Sequence, residues 1–167
     1  MKKILSLALA LAMIGTALTG CGSKDAATKT PAENTQQTAP VQQEQSQTEK
    51  ALALINTFAT GDTDTARSLL ADGYIQHNLA YGTGADAFIG SVEYLASADV
   101  KTTVNNIRAF EDGDKVFLQT IYNFAGAGEQ VAFDIFRFDE NGKIAEHWDV
   151  METIADQSTW QNQNGKF

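Results

Sequence analysis

Cysteine is almost missing from this sequence: the only one is Cys21. A single thiol cannot close a disulfide within the chain, and residues 22–167 offer no cysteine nucleophile. Basic residues are scarce. Twelve Lys and Arg stand against twenty-one Asp and Glu, for a net charge of −9 and a pI near 4.5. Phosphate contacts need a basic surface, so a nucleic-acid partner is excluded. Phosphate loops are lacking as well. Gly82-Thr83-Gly84 follows no clear strand and the next glycine is Gly90, so no dinucleotide fingerprint forms. No serine sits in a Gly-x-Ser-x-Gly elbow. The two histidines, His77 and His147, show no short metal-ligand spacing, and no metal or cofactor is expected. At 167 residues the chain has room for one domain.

What is present begins with a leader. Lys2 and Lys3 precede an Ala/Leu-rich stretch, Ile4–Leu18, that is short for a membrane span. Leu18-Thr19-Gly20-Cys21 then matches the lipobox of bacterial lipoprotein signal peptides. The match implies cleavage after residue 20, lipidation of Cys21, and a membrane-anchored protein facing outside the cytoplasm. Loss of Lys2 and Lys3 with the leader would take the charge from −9 to −11. Residues 21–48 read as the lipidated Cys and a linker: polar, free of aromatics and holding both prolines, Pro31 and Pro40. Such a segment buries too little surface to offset its chain entropy. Its coil would span roughly 30 Å.

The domain is expected over residues 49–155, with a polar, loose tail at 156–167. Ser46-Gln47-Thr48-Glu49 fits a capping box for a helix that Gly61 ends. Asp62 or Thr63 caps a second helix, stopping at Asp72-Gly73, before an extended piece at Tyr74–Asn78. A third helix runs over Ala85–Ser97. Its interior Gly90 costs about 1 kcal/mol relative to Ala and is expected at a close helix contact. Four extended runs follow, at about 101–110, 115–124, 129–138 and 143–151. Asp112-Gly113, Gly126-Ala127-Gly128 and Asn141-Gly142 separate them with hairpin chemistry. The pattern predicts an α+β fold with three helices on an antiparallel meander.

Strict alternation puts Ala132, Asp134, Phe136 and Phe138 on one face of the third run. On the fourth, Ala145, His147, Asp149 and Met151 share a face, and Ile144, Glu146, Trp148 and Val150 share the other. Both faces are apolar, yet helices can cover only one. The second face is expected to pack on another copy in a two-fold dimer; coverage by the C-terminal tail is the alternative.

Ionisable groups on apolar strand faces are the chemical signal. If the third and fourth runs pair across Asn141-Gly142, Asp134 comes close to His147 and Asp149. A carboxyl in apolar surroundings beside another carboxylate is raised in pKa and suits proton transfer. A satisfied structural His–Asp pair is the competing reading.

Three stretches together carry a resemblance: Tyr74-Ile75-Gln76-His77-Asn78, Gly84-Ala85-Asp86-Ala87-Phe88-Ile89, and the run from Phe133 to Val150 that contains Asn141-Gly142-Lys143-Ile144-Ala145-Glu146-His147-Trp148-Asp149. They resemble the SnoaL-like polyketide cyclases of the nuclear transport factor 2-like superfamily. The resemblance implies a cone-shaped fold, a curved sheet wrapped round helices, enclosing a pocket. It implies Asp149 as general acid/base for cofactor-free aldol or cyclase-type chemistry. In those cyclases a His aligns with Asp134, so the sequence departs there, and His147 is expected to supply the missing cation. Asn78 aligns with a pocket Asn; Tyr74, His77 and Phe136 are expected to bind ligand beside it. The ligand expected is a small apolar or aromatic carbonyl compound. Capture of such a ligand without turnover is the second possibility.

Overall fold

The computed structural model describes residues 44–167. The expected leader, Cys21 and most of the expected linker lie outside the described residues. Among those described, no helix is long and apolar enough to cross a membrane.

Helix α1, Gln47–Thr60, opens on the predicted capping box. The Glu49 amide donates to Ser46 Oγ (3.1 Å) and the Ser46 amide to the Glu49 carboxylate (2.8 Å). Gly61 ends it in the left-handed region at φ +75°. A Cβ there would lie 2.8 Å from that of Ala96, so Gly61 is where helices meet closely. Gly90, expected in that role, has nothing within 4 Å of its would-be Cβ. Asp62 caps α2, Thr63–Leu69, through the Thr65 amide (2.9 Å). The chain then enters strand β1, Leu70–Gln76, ahead of Asp72-Gly73 and four residues before the expected start at Tyr74. Those two residues fall where the β1 register is interrupted. Helix α3 occupies Ala85–Ser97.

The meander follows as β2 (Thr103–Asp112), β3 (Lys115–Asn123), β4 (Gln130–Phe138) and β5 (Ile144–Thr153). β1 adds to it in parallel beside β5, giving the order β1-β5-β4-β3-β2. Asp112 pairs with Lys115 around Gly113, and Asp139 accepts the amides of Asn141 and Lys143 in the β4–β5 turn. The curved sheet and three helices share one core, including Leu54, Ile55, Phe88, Val92, Leu118 and Phe136.

Strict alternation fails where β4 meets the start of β5. Arg137 pairs with Glu146 but Phe138 with Ile144, so Ala145 is an extra residue in a β-bulge. Ile144 therefore turns inward and is fully buried, instead of joining Glu146, Trp148 and Val150 outside.

The tail is not loose. Gln119 on β3 donates to the Lys166 carbonyl (2.7 Å), and Lys166 Nζ reaches Glu152 on β5 (2.6 Å). The tail thus crosses the outer face near one end, where Ile121 and Val131 are buried. Ile75, Phe110, Phe117, Phe133 and Val150 stay exposed on the remainder of the sheet.

Candidate active site

The β4–β5 register builds the polar end of the site. Asp134 lies directly opposite Asp149, and Phe136 opposite His147. β1 brings Gln76 alongside His147 from the other side. These groups meet at a cavity of about 540 Å³ between the sheet and α3. Its walls are mostly aromatic: Phe58, Phe88, Tyr122, Phe124 and Phe136, with Met151. Phe58 packs on Phe88 and Phe124 (ring centroids 4.9 and 5.7 Å), which fixes the wall opposite the carboxylates. Tyr81, Gly90 and Tyr94 also line it.

Asp134 is buried and spent. Tyr122 donates its hydroxyl to one carboxylate oxygen (2.9 Å) and His147 Nε2 meets the other (3.2 Å). His147 stacks on Phe136 (4.5 Å, 11°), and its Nδ1 lies 3.0 Å from the Gln76 side-chain nitrogen. The Asn78 backbone amide donates to Gln76 Oε1 (3.0 Å), which fixes the Gln76 amide with its NH₂ toward the ring. Nδ1 is thus an acceptor and Nε2 carries the hydrogen given to Asp134.

Asp149 is the least committed of the three. It is half-buried, and Asn78 Nδ2 donates to its Oδ1 (2.7 Å). Its Oδ2 has no protein partner among the described residues, and the side chain lines the cavity. Burial holds this carboxyl above the ordinary Asp range; His147 and the Asn78 amide oppose that shift, and the Asp134 charge adds to it.

Asp134, His147 and Asp149 each place one ligand-type atom within 4.8 Å of the others. The hydrogen bonds fit a metal poorly. To offer a lone pair, His147 would have to surrender its bond to Asp134 or displace the Gln76 amide.

Tyr74, Phe136, Asp134, His147 and Asp149 all face the cavity, and Asn78 reaches it through Asp149. His77 does not. It stacks on Trp148 on the outer face (4.3 Å, 5°), with Nε2 2.9 Å from Glu146, which also accepts from Arg137. The reason is strand alternation: Tyr74 and Gln76 point inward, Ile75 and His77 outward. The same alternation pointed to Gln76, which sequence reasoning missed. Tyr122 was missed because it is one aromatic among several in an apolar run.

The sequence matches the family described as SnoaL-like domain over residues 51–147. No curated protein matches it. Among solved structures, an NTF2-like protein from Cytophaga hutchinsonii is similar at 16% identity, covering 66% of this chain and 94% of that one, with a TM-score of 0.57. IdmH from Streptomyces antibioticus, assigned to the polyketide cyclases, is 18% identical over 65% of this chain and 93% of its own, at 0.52. An LEH-like epoxide hydrolase from M. tuberculosis is 18% identical over 62% and 80%, at 0.54. At these identities the likeness is one of fold.

Proposed function

The chain belongs to the SnoaL-like domain family, and we propose that its cavity takes a small apolar carbonyl compound and moves a proton on it, with Asp149 as acid/base. The supporting observation is the Asp149 carboxylate: one oxygen is held by Asn78, and the other faces an aromatic cavity without a protein partner. In an aldol closure, Oδ2 takes a proton from the carbon beside a carbonyl. The resulting enolate carbon bonds to a second carbonyl carbon in the same molecule. The Asp149 acid then returns its proton to the new alkoxide. Atoms balance without oxidant or cofactor. Asp134 and His147 are positioning residues in this scheme. They hold the β4–β5 end of the cavity in one arrangement, and their hydrogen bonds are already used.

Asp149→Asn should lower turnover by about 10²–10⁴-fold, the usual weight of a general base, while the fold persists. Native mass spectrometry of protein from its own host would identify the compound with which turnover is followed. Undiminished turnover in the variant refutes the assignment.

One observation favours capture without turnover. Asp149 is the only acid/base group of the trio with an unused valence, so neither Asp134 nor His147 stands by as a second proton carrier. Under that reading Asp149→Asn changes affinity alone.

We also place the domain at a membrane, outside the cytoplasm, through a lipid on Cys21. The support is Leu18-Thr19-Gly20-Cys21 after an apolar stretch. Cells fed a tagged fatty acid should label the protein, and Cys21→Ser should abolish the label.

A further inference from the structure

The hydrogen bonds at the polar end of the cavity run in one direction. Tyr122 and His147 both donate to Asp134. Gln76, fixed by the Asn78 backbone amide, donates to His147 Nδ1 (3.0 Å) and to the Tyr74 phenol oxygen (3.3 Å). Tyr74 therefore joins this network as an acceptor. Its own O–H hydrogen meets no acceptor among the described residues, although the residue is only 2% exposed and lines the cavity. The two buried tyrosines of the cavity, Tyr74 and Tyr122, differ in this respect: the Tyr122 donor is spent on Asp134, and the Tyr74 donor is unspent. A buried hydroxyl whose hydrogen lacks an acceptor is unfavourable until a ligand supplies one. Donation from Gln76 also polarises the phenol, which strengthens the O–H as a donor.

Resting on the carbonyl-compound reading above, we propose that Tyr74 is the donor that seats the ligand's oxygen, on the same cavity wall from which Asp149 meets the adjacent acidic C–H. The ligand class is then narrower than "apolar". It is an enolisable ketone or aldehyde whose oxygen is carried on a planar apolar skeleton. Burial, with the charges of Asp149 and Asp134, holds the phenol well above its ordinary range, so it stays protonated as a donor through neutral pH. As the enolate forms, charge gathers on the seated oxygen, and the same hydrogen bond tightens.

The test uses the full chain and a plain aromatic ketone, 2-acetylnaphthalene labelled with ¹³C at the carbonyl. Binding is measured by titration and the carbonyl stretch by difference infrared spectroscopy. Tyr74→Phe removes one oxygen and keeps the ring; thermal melts check that the fold persists. The expected result is a carbonyl stretch at lower frequency on the wild-type chain, returning toward its apolar-solvent value in Tyr74→Phe with about tenfold weaker binding. Asp149→Asn should keep the lowered frequency. Equal binding and equal frequency in wild type and Tyr74→Phe overturn the role given to Tyr74 and leave the Asp149 reading standing. Failure of the wild-type chain to bind the ketone at all sinks both.

Discussion

Asp149 is where function and stability pull against each other. Its carboxyl is raised in the folded chain relative to the ordinary value of 3.8. Below 3.8 both folded and unfolded chains hold the proton, and the group costs nothing. As pH rises from 3.8 to the raised folded value, the unfolded chain releases its proton first, so stability falls across that window and stays lower above it. Asp149→Asn removes this cost while Asn78 can still donate to the new side-chain oxygen. Thermal melts should show the variant more stable at pH 7 by ~2 °C or less, since a half-exposed charge is partly screened. The gain should vanish below 3.8. A variant less stable at pH 7 would mean that the carboxylate is a structural asset, not a burden held for the ligand. Much of this site was legible one residue at a time: Asp134, His147 and Asp149 were polar intrusions on apolar strand faces. The spread from Tyr74 to Asn78 was legible too, but only through its period of two. Reading His77 and Asn78 as neighbours overlooked that adjacent strand residues face opposite ways. The tautomer of His147 was not legible, because Gln76 sets it from seventy-one positions away.

At the scale of elements, local chemistry carried most of the information. The Ser46–Glu49 box, the Asp62 cap and the turn glycines each act within a few residues, so their signals survive in the sequence. What depends on a neighbour did not. The Ala145 bulge becomes visible only against β4, and β1 pairing parallel to β5 only once the sheet exists. The helix glycines separate these cases sharply. Gly90 lies inside α3 with open space beside it and lines the cavity, so Gly90→Ala should stabilise the domain by about 0.5–1 kcal/mol through helix propensity. Gly61→Ala should destabilise it by more than that, since it meets both a positive φ and the Ala96 methyl at 2.8 Å. Denaturant melts of the two variants settle the order. If Gly90→Ala were the more damaging, the close helix approach would be at α3's middle after all.

At the scale of the molecule, the outer sheet face is the unfinished part. Ile75, Phe110, Phe117, Phe133 and Val150 lie together there, with Phe133 55% and Val150 72% exposed. Water contact for so many large apolar groups on one face is unfavourable, and the tail relieves it only near Gln119 and Glu152. The sequence raised both remedies, a second copy and the tail. The second is thus partial, because a polar segment of about a dozen residues cannot blanket a five-stranded sheet. The face also carries charges of both signs, Arg108 and Arg137 with Glu146, which a two-fold axis needs if a surface is to meet itself. Self-association of the domain through this face should appear as a concentration-dependent mass in analytical ultracentrifugation. Phe133→Asp should shift that equilibrium to monomer at every concentration without lowering the melting temperature of the monomer, since its side chain contributes nothing to the core. The cavity lies on the opposite side of the sheet, so ligand binding should survive the same variant. A wild-type chain that stays monomeric across the series would mean that the exposed stripe is met by something other than a second copy.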